Sequence, residues 1–354
     1  MRRGLIARSP VELPDAVFDA RLERVRAAMQ QARLDALVIY TNNTRPAGVS
    51  WLAGFVPYWS EALLVAPRAG APYLVAALSF RVKSWIERVS RIGEVLHTPR
   101  IGLKATQQIA AARPDAVVGI VDFDGLPTGI ADDLREGGPG LTLRDASALF
   151  ATLHAKADPA EIALAMKAAS IANCALSAVP RDTSLNTAIA AVDGAARNLG
   201  AEEVYVAAAP DLDRDCRFRR IEGEPVRGKN FALRATVAYK GTWVRVVRTF
   251  ADPAIEHLAL IELARAVAQL PSDRGFAGFQ SWLVEGCRMT QPLEPLLGPR
   301  LGPAAPLPLG AIVSVQGVLA IDGRKVLVGA PALIGAHGEA ASLLSEPSYS
   351  GVYS

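Results

Sequence analysis

The chain has 354 residues, 51% of them apolar and 21% charged, with a formal net charge of +3. That is enough for two domains with substantial cores, and so small a basic excess excludes a protein built to coat nucleic acid or an anionic membrane surface. No uncharged apolar run reaches about 18 residues, so no membrane-spanning helix is expected. The charged start MRRGLIARSPVELPD lacks the apolar stretch of a secretory signal. Three cysteines, Cys174, Cys216 and Cys287, suit a reducing compartment better than a disulfide scaffold, which points to the cytoplasm.

The first part alternates helix and strand signals. RLERVRAAMQQARL has the spacing of an amphipathic helix and leads into a strand, DALVIY. EALLVAP and APYLVAAL are strands on either side of an Arg-Ala-Gly turn. FRVKSWIERV reads as a helix, and DAVVGIVDF as a strand ending at Asp122–Gly125. After a break at Gly137–Gly140 come a last strand and a helix through Ala155. Strands alternating with helices predict an α/β layer over residues 1–155.

Residues 156–354 open with a capping-box signal: Asp158, Pro159 in the first turn, and Glu161 three positions after the cap. The helix EIALAMKAASIANCALSAV follows, with Cys174 expected in the core. A second helix over SLNTAIAAVDGAARNLG is capped by Thr183 or Ser184 and closed by Gly200. Next are a strand (EVYVAAA), a charged loop (DLDRDCRFRR), a hairpin, a helix from Ile255 to Leu270, and GFQSWLVEG, which reads as a shorter helix. A proline-rich stretch then precedes two strands, AIVSVQGVLAI and RKVLVGAPALI. Helices interleaved with antiparallel strands predict an α+β domain.

The hairpin is NFALRATVAYKGTWVRVVRTF, Asn230 to Phe250, and its residues alternate on both sides of Tyr239-Lys240-Gly241. Folded about that turn, Arg234 falls within about a residue of Arg245. Like charges opposed across a strand pair are destabilising, and a buried unpaired guanidinium costs more.

Four phrases resemble the creatinase, prolidase and aminopeptidase P family: VSWLAGF in the first part, KADPAEIALAMKAASIA at the domain junction, YKGTWVRVVRTF in the hairpin, and PLGAIVSVQG in the penultimate strand. The resemblance spans nearly the whole chain. It implies an α/β N-terminal domain and a C-terminal α+β "pita-bread" domain, usually in a homodimer.

In metal-dependent members, two aspartates, a histidine and two glutamates hold two metal ions. By the resemblance the aspartate positions fall at Arg234 and Arg245, the histidine at or beside Cys287, and the glutamates at Gln316 and near Gly329. Guanidiniums carry positive charge and cannot ligate a cation, so no metal and no other cofactor is expected. Arginines standing where cations stood can hold an anionic group, a carboxylate or phosphate, by charge-assisted bonds. Alternatively each pairs with a local acid, Asp211, Asp213, Asp215 or Glu294, in a structural ion network.

The family also carries a histidine in the loop before the hairpin. Here that position falls at or next to Cys216, while His97, His154, His257 and His337 lie away from family motifs and read as surface or packing residues. Arg214, Arg217 and Arg219 beside Cys216 favour a thiolate; Asp213 and Asp215 oppose it. One reading is a metal-independent, creatinase-type hydrolase or lyase acting on a C–N bond of a small amino-acid-derived anion. Arg234 and Arg245 would hold the anion with Arg214 and Arg217, Cys216 would attack or move a proton, Gln316 would orient the polar group, and Cys287 would serve as a partner thiol. Arg45, in a loop with Tyr58 and Trp59, would add a contact from the other subunit. The alternative is an inactive pseudo-peptidase that binds a ligand or a partner protein.

Overall fold

The computed structural model describes residues 9–270, 272–286, 307–335 and 340–345. The chain divides into two compact units, Met1–Ala155 and Lys156–Ser354, each built around its own sheet.

In the first unit the apolar runs become central strands covered on both faces. β1 (Ala36–Asn42), β2 (Glu61–Pro67), β3 (Tyr73–Ala76), β4 (Glu94–His97), β5 (Val117–Val121) and β6 (Thr142–Asp145) lie in the order β4-β3-β2-β1-β5-β6. The sheet is mixed: β1–β2 and β2–β3 are antiparallel, and the other neighbours are parallel. Successive side chains of β1 go to opposite layers. Leu37 and Ile39 pack with residues of α1 (Asp15–Gln31), α2 (Ala47–Ala53), α3 (Lys83–Val89) and α6 (Ser147–Ala155). Val38 and Tyr40 pack with α4 (Ile101–Ala112) and α5 (Thr128–Glu136). Burial on both faces explains why DALVIY is continuously apolar rather than alternating.

The second unit covers only one face of its sheet with helices. α7 (Pro159–Ser177) starts with the full capping box: the Glu161 amide donates to Asp158 Oδ1 at 3.0 Å, and the Asp158 amide donates to Glu161 Oε2 at 3.2 Å. α8 (Leu185–Asn198) is capped by Ser184. β7 (Glu203–Ala209), β8 (Phe231–Tyr239), β9 (Thr242–Phe250), β10 (Phe279–Gly286), β11 (Ile312–Ile321) and β12 (Arg324–Leu333) take the order β10-β11-β12-β9-β8-β7, with the short β13 (Ser342–Leu343) on β12. Leu233, Ala235, Val237, Val244 and Val246 pack beneath α7 and α8. Val313, Val315, Val328 and Ala330 pack beneath α9 (Pro253–Ala268). The alternate residues of these strands look the other way, toward a small cluster around Leu212, Phe218, Val247, Val318 and Leu327. On that second face the sheet keeps its polar side chains.

Two expectations are corrected here. GFQSWLVEG is not a helix but β10, an edge strand paired with β11, in which Trp282 and Val284 face the core while Leu283 and Glu285 face away. Cys174 is exposed rather than buried, because Ile171, Ala172, Ala175 and Leu176 occupy the buried arc of α7 and leave position 174 on the outside. No helix among the described residues is long and apolar enough to cross a membrane.

Candidate functional site

The hairpin sets the geometry. Lys240 and Gly241 both have positive φ, 48° and 77°, the two-residue turn whose twist matches paired strands. Tyr239 therefore pairs with Thr242, Thr236 with Arg245, and Arg234 with Val247. The arginines are not opposed within a residue of each other. They are two residues apart in register, diagonal neighbours on one face, because the turn contains two residues. That separation, about 7–8 Å between diagonal positions, weakens their repulsion without removing it.

Arg245 is 1% exposed and forms an ion pair with Glu285 of β10. Strands β11 and β12 lie between β9 and β10, so the pair spans both. Arg234 is 6% exposed, and its guanidinium carbon sits 4.5 Å from the centre of the Phe218 ring. Its pKa is pulled down to about 9, first by burial and then by the charge of Arg245, with Glu285 acting in the opposite sense. The acid the site uses is thus Glu285, on the edge strand β10 rather than on the helix expected there. Asp211 and Asp215 instead hold Arg214 and Arg217.

Gln316 stands on β11 between Leu283 of β10 and Gly329 of β12. Gly329 in turn pairs with Val247, the partner of Arg234. Directly paired residues share a face, so Gln316 and Arg234 lie in one row across the sheet. Gln316 is 1% exposed; its Nε2 donates to the buried Ser314 hydroxyl at 3.4 Å. Its stem leans over the bare glycine, with Cγ 2.9 Å from the place a Gly329 Cβ would occupy.

Several expected residues are not brought to this face. Arg214 and Arg217 are exposed, 88% and 65% at the side chain, and are held by Asp211 and Asp215 within their own loop. They are spent locally, which removes them from the set around Arg234. Cys216 is half-buried and packs beside the Leu212–Phe218 cluster, with Sγ 3.8 Å from the Leu212 carbonyl oxygen. Burial pushes its thiol pKa up; Asp215 and Asp213 add to that, and Lys325 opposes them. The sign left open by the sequence is therefore against the thiolate. Arg45 is exposed and hydrogen-bonds the Gly125 carbonyl within the first unit. His97 is held by the Leu78 carbonyl, and His154 packs on Trp51. Cys287, Glu294 and His337 lie outside the described residues.

Residues 21–155 match the family model described as the Creatinase/Prolidase N-terminal domain. Solved structures match the chain almost end to end. An X-Pro aminopeptidase from Thermotoga maritima aligns with a TM-score of 0.70 and 12% identity over 92% of this chain and 97% of its own. An Xaa-Pro dipeptidase from Bacillus anthracis gives 0.66 and 17% over 92% and 97%. The chain has the creatinase/prolidase fold. The N-terminal domain of the FACT complex subunit SPT16 from Cicer arietinum also matches it, at 0.63 and 13% over 95% of this chain and 97% of that one. No curated protein matches the chain by sequence.

Within the creatinase/prolidase fold the second sheet's helix-free face is where the sequence resemblance puts the metal ligands, and the residues there do not fit a metal. Arg234 and Arg245 supply cations where carboxylates would be needed, and Gln316 offers a single neutral oxygen. Gly329 has no side chain, and a Cβ there would lie 2.7 Å from the Val315 carbonyl oxygen. Among the described residues no group of three or more His, Cys, Asp or Glu could hold a metal ion.

Proposed function

We propose that this chain binds a small oxyanion on the helix-free face of its second sheet, through Arg234 and Arg245, and does not work as a metallopeptidase. The observation that carries this reading is the placement of two buried guanidiniums on one face of one hairpin, with the charge of Arg234 disfavoured by burial and by its neighbour. A bound anion offsets both costs through charge-assisted hydrogen bonds. Attack on a C–N bond by Cys216 would need the thiolate, and the burial of that thiol works against it. Ligand binding is therefore better supported than turnover. One solved relative of this fold is itself named as a subunit of a complex rather than as a peptidase.

Thermal melting in phosphate, sulfate, acetate and chloride at one ionic strength, with manganese and zinc in parallel, tests the reading. Oxyanions are expected to raise the melting temperature of the wild type but not of Arg234→Met, and the divalent metals to leave it unchanged. Stabilisation by a divalent metal with none by any oxyanion would sink the proposal.

A further inference from the structure

The arginine face also carries hydrogen-bond acceptors. Gln316 Oε1 is buried and accepts no hydrogen bond from any described residue, since the amide nitrogen is the end directed at Ser314. The side chain is 1% exposed and leans across Gly329 along the row that leads to Val247 and Arg234. Glu285 adds a carboxylate to the same face at the end of the ion pair from Arg245. A ligand there meets positive charge and two kinds of acceptor together.

Resting on the anion-binding reading above, we infer that the ligand is an oxyanion carrying its own hydrogen-bond donor, and that a phosphate group keeping at least one P–OH is the chemistry that fits. Its unprotonated oxygens accept from the guanidiniums while its P–OH donates to Gln316 Oε1. Sulfate has nearly the same size and shape but no proton to give at neutral pH. It would set its own lone pairs against Gln316 Oε1 and Glu285, leaving a buried acceptor unmet. The arginines supply attraction for any anion; Gln316 supplies the choice among anions. A free phosphate ion and a phosphomonoester share this chemistry, the ester being monoprotonated below a pKa of about 6.

Calorimetric titration of the full chain with inorganic phosphate, sulfate and ethyl phosphate at about pH 5.5, at one ionic strength, reads this directly. Phosphate is expected to bind at least about tenfold more tightly than sulfate, the loss of one well-buried hydrogen bond. Gln316→Met keeps the side chain's length and removes the acceptor. It should weaken phosphate and relieve sulfate of the opposed acceptor, so that the two anions bind alike, and sulfate binding that is kept or raised certifies that the variant is folded. Equal binding of phosphate and sulfate by the wild type, or an equal loss of both in Gln316→Met, overturns the inference and leaves the anion site standing. Failure of every oxyanion to bind overturns the anion site itself. Ethyl phosphate binding as tightly as inorganic phosphate supports the inference with a phosphomonoester as ligand; a clear preference for inorganic phosphate supports it with the free ion.

Discussion

Arg245 and Glu285 meet across two intervening strands of their sheet, and the arginine is almost wholly removed from solvent where they meet. Breaking a pair with one member so deeply buried leaves a charge without compensation, which costs far more than the pair itself contributes. Glu285→Gln is expected to destabilise the chain by about 3 kcal/mol, whereas Arg245→Met with Glu285→Leu should recover most of that loss. Urea denaturation of the two variants measures the difference. A Glu285→Gln protein as stable as the wild type would remove the pair from any structural role.

Arg234 makes the opposite prediction. Its charge is held in a buried place at a cost, with the pKa down to about 9. Arg234→Met should raise stability by about 1–2 kcal/mol while abolishing oxyanion stabilisation, a trade expected of a binding residue. If the substitution lowers stability instead, the arginine is part of a structural network.

Glu202 gives the chain a pH dependence. The carboxyl group is buried beside the turn of the hairpin and accepts a hydrogen bond from the Gly241 amide at 3.1 Å. Burial raises its pKa to about 7, Glu203 adds to the rise, and Lys240 opposes it. In the unfolded chain the group loses its proton near 4.5, so between that pH and about 7 the folded state holds more protons. The contribution of Glu202 to stability is therefore present in full below about 4.5 and is lost as pH rises through 7, about 3 kcal/mol in all. Glu202→Gln, which still accepts from Gly241, should flatten this fall. Melting temperatures from pH 4 to 8 that run parallel in the two proteins would contradict the assignment.

Gly329→Glu, which puts a carboxylate near a position where the family resemblance implies a glutamate ligand, is expected to bind no divalent metal. It should also cost about 2–3 kcal/mol, since its Cβ would meet the Val315 carbonyl oxygen at 2.7 Å and Gln316 Cγ at 2.9 Å. Calorimetric titration with zinc and a urea melt check the two halves of that statement separately.

The hairpin was legible in the sequence because alternation survives on both arms and Lys-Gly fixes the turn; only the two-residue loop length, which sets the diagonal placement of the arginines, was misjudged. Glu285 was not legible, for a local reason. The pairing of β10 with β11 slips between Phe279 and Ser281, so an extra residue breaks the period-two pattern just where the strand begins. With that alternation interrupted, GFQSWLVEG offers apolar residues at spacings a short helix could also use. The clue that remained was Trp282-Leu283-Val284-Glu285, in which the acid alternates with the core-facing pair. The helices α2, α4 and α5 carry a weak sequence signal: none has a side-chain cap at its start, and α2 is only seven residues long. The outward position of Cys174 is hard to read because an alanine-rich helix gives little contrast between its inner and outer arcs.

A guanidinium has one property that no metal ion shares. It is bonded to the chain, made with it at a ratio of one to one, and cannot be leached by a chelator or exchanged for a competing ion. The positive charge on this sheet is therefore written into the gene and does not vary with metal supply. A cell starved of zinc or flooded with manganese carries the same fully charged protein.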